Sequence, residues 1–268
     1  MKVWLISVGL MLLTALGCLT VSYADIRCAV DWKNGIYLAE GQAVVQNPKL
    51  KVSREKALLE ARKSAASRMM ALIEKTSVKE RNPAKVFEQD STVKSKISDV
   101  VNTTKPTSTR FETIRAKTMA IVTLKISIFG NNRPGTIIVD SSLEAFAPPV
   151  ADKNSSGYTC LIVDASGLSV KKSMCPRILK SSGEVVYDGQ NAPIGRIEEF
   201  GVVAYAKGLH VTDRIPRCGD KPLIVKATGS SGISNWDVIV ADSDAELILT
   251  ENSEYHFLDK LNVIIVVD

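Results

Sequence analysis

Apolar residues in the first half of the chain recur at two spacings, and each spacing predicts one kind of element. From Gly35 to Val45 apolar and polar residues alternate, which is typical of a half-buried strand. After a break at Asn47-Pro48, Ser53 is placed to cap a long helix that ends near Thr76. Because much of its apolar stripe is alanine, we expect this helix to lie close on a sheet. The stripe has helical spacing and holds Ala57, Leu58, Ala61, Ala65, Met69, Leu72 and Ile73.

The elements that follow complete a first α+β unit. Pro83 begins a second, weaker helix, and Lys94–Val101 alternates more like a strand. Two further strands are predicted at Arg110–Ala116 and Met119–Phe129. This order predicts an antiparallel sheet with one buried face, covered by the long alanine-rich helix. The residues of the last strand that face one way are Ala120, Val122, Leu124, Ile126 and Ile128, with Thr123, Lys125 and Ser127 opposite.

The second half of the chain predicts a strand-rich α+β domain. A linker over residues 148–157 separates it from the first domain, residues 25–147, and it fills residues 158–268. Two hairpins are expected around Ser181-Ser182-Gly183 and around the Gly/Ser-rich loop near residue 230. Ser243-Asp-Ala-Glu246 has the form of a capping box that opens a helix ending near Asn252. The strands expected here are 159–163, 176–179, 184–187, 222–227, 236–240 and 261–267.

Residues 1–24 have the pattern of a secretory signal peptide. Lys2 precedes an apolar run, Val3–Leu16, that is shorter than the roughly 20 residues of a spanning helix. Small residues before Asp25 favour cleavage after Ala24, which leaves a protein in the periplasm or cell envelope. In the alternative, Ala15-Leu16-Gly17-Cys18 acts as a lipobox, and Cys18 is lipidated in an outer-membrane lipoprotein.

Four cysteines remain after such a cleavage, which in an oxidising compartment indicates disulfides or buried thiols. No C-x-x-C motif supports a redox or zinc site. Cys175 and Cys218 both have loop-like sequence surroundings, so we expect a disulfide between them. Cys160 lies inside an apolar strand and Cys28 lies near the mature N-terminus.

Charge is distributed unevenly along the chain. Residues 49–117 hold 17 Lys/Arg against 8 Asp/Glu, whereas residues 220–268 hold 3 against 9. The basic part favours an anionic lipid or cell-wall surface, or self-association with the acidic part of a second copy. A solvated helix surface with ordinary lysines is the alternative. The basic residues lack interleaved aromatic residues, so nucleic acid is not an expected partner.

The sequence contains no recognisable catalytic or metal-binding motif. The two histidines, His210 and His256, have no metal-ligand spacing, and the S-x-x-K matches lack their companion motifs. Asp164 with His210 is the weak alternative of a periplasmic hydrolase. A calcium site at Asp237, Asp242 and Asp244 would not have EF-hand spacing. We therefore expect a protein that is not an enzyme and has no metal or cofactor.

The first unit resembles a known family. The order of a strand, an alanine-rich helix, a polar helix and a strand pair, from Tyr37 to Phe129, resembles the N-terminal domain of flagellar assembly protein T (FlgT). It is also similar to envelope lipoproteins of the LPP type, and the second half looks like part of the exported bacterial proteins grouped with them. The residues that carry the first resemblance are Gly41, Ala43, Ala57, Ala61, Ala65, Ile97 and Val100.

This resemblance implies a non-catalytic role at the flagellar basal body or outer membrane. The leading hypothesis is an exported envelope scaffold or assembly factor with protein partners. The alternative is a periplasmic binding module for anionic wall or lipid ligands.

Overall fold

The computed structural model describes residues 27–76, 87–140, 157–189, 192–232 and 234–268. Within these ranges the protein contains two β-sheets with helices packed against them, which confirms the predicted α+β class. The signal peptide region and most of the predicted linker at 148–157 lie outside the described residues, so the domain boundary stays a prediction.

The first sheet is antiparallel and has four strands. They are β1 (Cys28–Asp31), β2 (Ile36–Val44), β3 (Ser108–Ile114) and β4 (Lys117–Ser127), in the spatial order β1-β2-β4-β3. The turn between β3 and β4 places Arg115 and Ala116 at positive φ, as a tight hairpin requires. The residues of β4 predicted to face inward are buried, but Ile121 and Thr123 on the opposite face are buried as well, so the predicted half-buried pattern holds only toward the end of the strand. The inward residues are Ala120, Val122, Leu124, Ile126 and Ile128.

The long helix α1 (Lys51–Lys75) packs on β2 and β4, as its alanine stripe predicts. A Cβ added at Gly41 of β2 would collide with the backbone of Ala61 and Ala65, so the helix and the strand approach at backbone distance. The predicted cap is wrong: Leu50 is the N-cap residue, and the Ser53 hydroxyl accepts a hydrogen bond from the Asn47 backbone N–H instead (2.9 Å).

The strand expected at Lys94–Val101 is wrong, because this segment belongs to helix α2 (Ser91–Thr103). Asp90 caps this helix by accepting a hydrogen bond from the backbone N–H of Thr92 (2.8 Å). The apolar residues at helical spacing determine its buried face, which consists of Val93, Ile97, Val100 and Val101. A short helix, α3 (Pro134–Asp140), follows the first sheet and packs beside α2.

The second sheet has seven strands in the order β7-β6-β10-β9-β5-β11-β8. Four of these strands, β9, β5, β11 and β8, run parallel, and β5 and β11 are nearly continuous apolar runs buried on both faces. The two predicted hairpins are confirmed as the antiparallel pairs β6/β7 and β9/β10. The strands are β5 (Cys160–Asp164), β6 (Ile178–Leu179), β7 (Val185–Tyr187), β8 (Ala204–Lys207), β9 (Pro222–Ser231), β10 (Asp237–Val240) and β11 (Val263–Val267).

The helical elements of the second unit are α4 (Ile194–Phe200), a 3-10 helix (Leu209–Arg214) and α5 (Asp242–Tyr255). The capping box predicted for α5 is wrong, since Ala241 is the N-cap residue and makes no side-chain cap. Asp242 instead accepts a hydrogen bond from the backbone N–H of Ser181, which ties the start of α5 to the β6/β7 turn.

Buried residues of both sheets form one continuous apolar cluster. The Tyr37 hydroxyl lies 3.6 Å from the Met174 sulfur, and the rings of Trp32 and Tyr205 meet edge to face with centroids 5.9 Å apart. These contacts pack the first sheet against the second.

Candidate functional site

The carboxyl ends of the parallel strands are where ligands bind in many open parallel sheets, so we considered this edge first. Asp164 ends β5, and its carboxylate accepts hydrogen bonds from the Ser166 backbone (3.1 Å) and hydroxyl (2.6 Å). These hydrogen bonds from Ser166 lower the pKa of Asp164. The Gly167 N–H donates to the Asp268 carboxylate, which closes the turn. Asp164 therefore forms an Asx turn at the end of the strand.

His210 is exposed in the 3-10 helix that follows β8. Strand β11 lies between β5 and β8, and among the described residues no hydrogen bond joins Asp164 to His210. A base that activates a nucleophile has to lie within hydrogen-bond reach of it. The geometry therefore gives no support to the hydrolase alternative.

The three aspartates considered for calcium have separate structural roles. Asp237 is fully buried and accepts hydrogen bonds from the Arg177 backbone N–H (2.9 Å), Nε (3.1 Å) and Nη2 (2.6 Å). Asp242 binds the Ser181 backbone, and Asp244 lies in the first turn of α5, where the helix dipole favours an acidic residue. In the described part of the chain no three His, Cys, Asp or Glu side chains are grouped to hold a metal ion.

A polar cluster that the sequence did not indicate lies on the first sheet. The Glu40 carboxylate accepts hydrogen bonds from Arg110 (3.0 Å) and the Thr123 hydroxyl (3.1 Å), and Arg110 also donates to Glu112 (2.6 Å). Burial raises the pKa of Glu40, but the hydrogen bonds from Arg110 and Thr123 outweigh it and lower the pKa below its usual value. The cluster joins β2, β3 and β4 and has a structural role.

Helices α1 and α5 present surfaces of opposite charge. Helix α1 holds seven Lys/Arg and three Glu, whereas α5 holds five Asp/Glu and no Lys or Arg. Two α1 lysines pair within the helix, Lys51 with Glu55 (3.8 Å) and Lys63 with Glu60 (3.1 Å), and their exposed geometry makes these pairs weak. Helix α5 thus carries most of the acidic excess of residues 220–268, and α1 carries a little under half of the basic excess of residues 49–117.

Each of these helices also exposes apolar side chains beside its charges. On α1, Val52 is 75% exposed and Leu59 is 53% exposed, and Lys56 and Lys63 lie on the same stripe of the helix. On α5, Leu247 is 40% exposed and shares its stripe with acidic residues. We call these the basic stripe (Val52, Lys56, Leu59, Lys63) and the acidic stripe (Asp244, Leu247, Glu251, Glu254). Exposed apolar residues with a charged rim are typical of interaction surfaces.

The cysteines do not have the arrangement that the sequence analysis expects. Cys218 Sγ lies 2.7 Å from Cys160 Sγ within a small buried cluster on one face of the second sheet. Cys175 is buried in the large apolar cluster, to which the opposite face of β5 contributes Leu161 and Val163. The structure therefore places Cys175 and Cys218 on different sides of the sheet.

The residues that decide export, Ala24, Asp25 and the lipobox Cys18, lie outside the described residues. None of the helices that the structure describes is both long enough and apolar enough to cross a bilayer.

Residues 160–268 match the family model for the second domain of Treponema pallidum Tp0624. The matched range begins with β5 and runs through β11, so the whole second sheet is similar to that domain. No curated protein matches the chain. Neither comparison shows a relationship to flagellar assembly protein T or to the LPP-type lipoproteins, and the residues on which that expectation rests, 37–129, lie outside the matched range.

Proposed function

We propose that the protein is an exported, non-catalytic scaffold of the cell envelope that works through its surfaces. The apolar run and small residues within residues 1–24 support export. The single observation that carries the scaffold role is the pair of oppositely charged stripes on α1 and α5, each of which exposes apolar side chains to solvent.

In this proposal the acidic stripe of one copy binds the basic stripe of the next. The two stripes lie on different helices and are not self-complementary, so the contact is heterologous and builds open or ring-shaped assemblies. Exposed charges attract weakly one at a time, and apolar side chains between them supply the area that is removed from water.

Sedimentation velocity of the full chain tests self-association. We expect the average mass to rise with protein concentration at about 50 mM salt and to fall back toward the monomer at about 500 mM, where screening is strong. A monomer at every concentration in low salt would refute assembly through these stripes.

Export has a separate test. Intact-mass analysis of the envelope fraction should give a chain that begins at Asp25 without lipid. A mature protein that begins at acylated Cys18 would instead support the tethered lipoprotein form.

The more specific form of the proposal places this scaffold at the flagellar basal body. It is supported by the resemblance of residues 37–129 to the FlgT N-terminal domain. Among the residues that carry this resemblance, Gly41 and the alanines of α1 form the close helix–strand contact of the present structure. Pull-down from envelope extracts, followed by mass spectrometry, should then recover basal-body proteins. Recovery of unrelated envelope proteins would leave the scaffold role and remove the flagellar one.

A second candidate function is binding of an anionic wall or lipid group. A groove of about 640 Å³ lies between α1 and α2 and is lined by Lys94 and by the serines at 67, 91, 95 and 98. Lysine and hydroxyl groups suit an anionic ligand, although Glu74 pairs with Lys94 at 3.6 Å and reduces the positive charge. Co-sedimentation with phosphatidylglycerol vesicles, compared with neutral phosphatidylcholine vesicles, tests this function.

A further inference from the structure

We propose that Cys160 and Cys218 form a disulfide bond that fixes the segment after β8 to the outer face of the second sheet. The two residues are 58 positions apart in the chain, and both are buried. Their sulfur atoms lie 2.7 Å apart, so a movement of about 0.7 Å brings them to the length of an S–S bond, about 2.05 Å. The alternative partner, Cys175, lies on the other side of the sheet.

The backbone around the two cysteines is already held in register for this bond. The Thr159 hydroxyl donates to the Cys218 carbonyl (2.7 Å), and the Lys221 N–H donates to the same hydroxyl (3.0 Å). The Thr159 N–H in turn donates to the Lys221 carbonyl (2.8 Å). At Gly219, φ is +70° and an added Cβ would meet Thr159, so the chain turns tightly here against the start of β5. Three hydrogen bonds and the close approach of Gly219 to Thr159 thus align Cys218 with Cys160.

Arg217 anchors the same segment on its other side. Its guanidinium donates hydrogen bonds to the carbonyls of Phe200 and Leu261. Burial lowers the pKa of Arg217 to about 10. The partly buried guanidinium replaces lost water with these hydrogen bonds, so this contact holds the segment in place. A disulfide would add a covalent link at a place that the non-covalent contacts have already made rigid.

The bond forms by two thiol–disulfide exchanges with a disulfide oxidant. One cysteine thiolate attacks the oxidant and releases its first thiol, and the second cysteine then attacks the mixed disulfide and releases the second. Two protein S–H bonds and the oxidant's S–S bond become the protein S–S bond and two oxidant thiols, so two electrons pass to the oxidant. Burial raises the pKa of Cys160, which slows this exchange in the folded protein. We therefore expect the bond to form before the segment closes over the sheet.

Peptide mapping without reductant tests the pairing. The full chain is refolded in excess oxidised glutathione, blocked with N-ethylmaleimide and digested with trypsin. Cys160, Cys175 and Cys218 fall in three different tryptic peptides, residues 154–171, 173–177 and 218–226, because the Lys221-Pro222 bond resists cleavage. We expect a cross-linked pair of 154–171 with 218–226, and a 173–177 peptide without a disulfide to either of them. Because the oxidant is supplied in the buffer, this result does not depend on the proposed export.

Two results would overturn the inference: N-ethylmaleimide on both Cys160 and Cys218, or a cross-link between peptides 173–177 and 218–226. As a second readout, reductant should lower the melting temperature of the wild type by about 10 °C. The Cys175→Ala variant is the control and should keep this sensitivity, whereas Cys218→Ala should lose it. A wild-type melting temperature that reductant leaves unchanged would also count against the bond.

Discussion

The two longest helices of the described residues, α1 and α5, pack on their sheets in different ways. Helix α1 buries six residues, four of them alanine, and approaches β2 so closely that Gly41 has no room for a side chain. Helix α5 buries only Ala245 and Ile248 along its length and leaves Leu247 and Leu249 exposed. The first helix is basic and the second is acidic.

This difference separates a structural helix from a candidate interaction helix. Helix α1 derives its position from close backbone packing, so its buried stripe tolerates little change. Helix α5 is positioned mainly at its two ends, where Asp242 accepts from the Ser181 N–H and Asn252 accepts from the Leu258 N–H. Its exposed leucines and carboxylates are therefore available to a partner without disturbing the fold.

The largest expected effect is a loss of stability on removing a buried contact of the second sheet, compared with an exposed change on α5. Asp237→Ala removes a fully buried carboxylate and the three hydrogen bonds that it accepts from Arg177. We expect the free energy of unfolding to fall by about 3–5 kcal/mol, because the guanidinium loses its buried counter-charge. Urea denaturation measures the free energy of unfolding. The control Glu246→Ala, an exposed change on α5, should alter it by less than about 0.5 kcal/mol. An equal loss of stability in Asp237→Ala and Glu246→Ala would contradict the interpretation that the exposed side of α5 contributes little to the fold.

Overpacking tests the close contact of α1. Ala61→Leu or Ala65→Leu introduces a larger side chain where the helix meets Gly41, and each should cost about 1–3 kcal/mol. Ala71→Leu is the matched control, because Ala71 is exposed on the same helix. A melting temperature that is the same for all three variants would mean that the stripe does not determine how α1 packs.

The sequence was most informative where local pattern and tertiary packing agree. The alanine stripe of α1 and the alternation in β4 predict both the element and its buried face. For α2 the signal was present, since Val93, Ile97, Val100 and Val101 are spaced as on one helical face. The window Lys94–Val101 was too short to distinguish that spacing from alternation.

Pairings between segments that are distant in the chain could not be predicted from the sequence. The parallel order of β9, β5, β11 and β8 depends on crossovers that no local pattern encodes. Glu40 and Arg110 are 70 positions apart, and nothing near either residue indicates the other. The neighbour of Cys218 was missed for a similar reason. Loop-like surroundings suggested Cys175 as its partner, but Cys160 lies on the same face of the sheet and Cys175 on the other.

A smaller effect is expected on the pH dependence of stability, to which Glu40 of the first sheet contributes. The pKa of Glu40 is lowered in the folded protein, so its contribution to stability is present above the pKa of the unfolded state, near 4.5, and is lost as pH falls through the folded value. We expect the wild type to lose about 1 kcal/mol more than Glu40→Gln between pH 6 and pH 3. Parallel stability curves for the two proteins over this range would show that the Arg110 hydrogen bond does not favour the ionised form.

The smallest expected effect addresses the surfaces themselves. Reversing the acidic stripe with Glu251→Lys and Glu254→Lys should weaken self-association about threefold at low salt, since each exposed ion pair contributes only a few tenths of a kcal/mol. Reversing the basic stripe with Lys56→Glu and Lys63→Glu should weaken it similarly. If the stripes bind each other, each double variant alone brings like charges together, but a mixture of the two should recover association, because the wild-type basic stripe of one variant meets the wild-type acidic stripe of the other. A single chain that combines all four reversals also restores opposite charges and should return the association close to that of the wild type. Sedimentation velocity measures all of these proteins, and a fourfold variant as weak as the double variants would assign the charges to another partner.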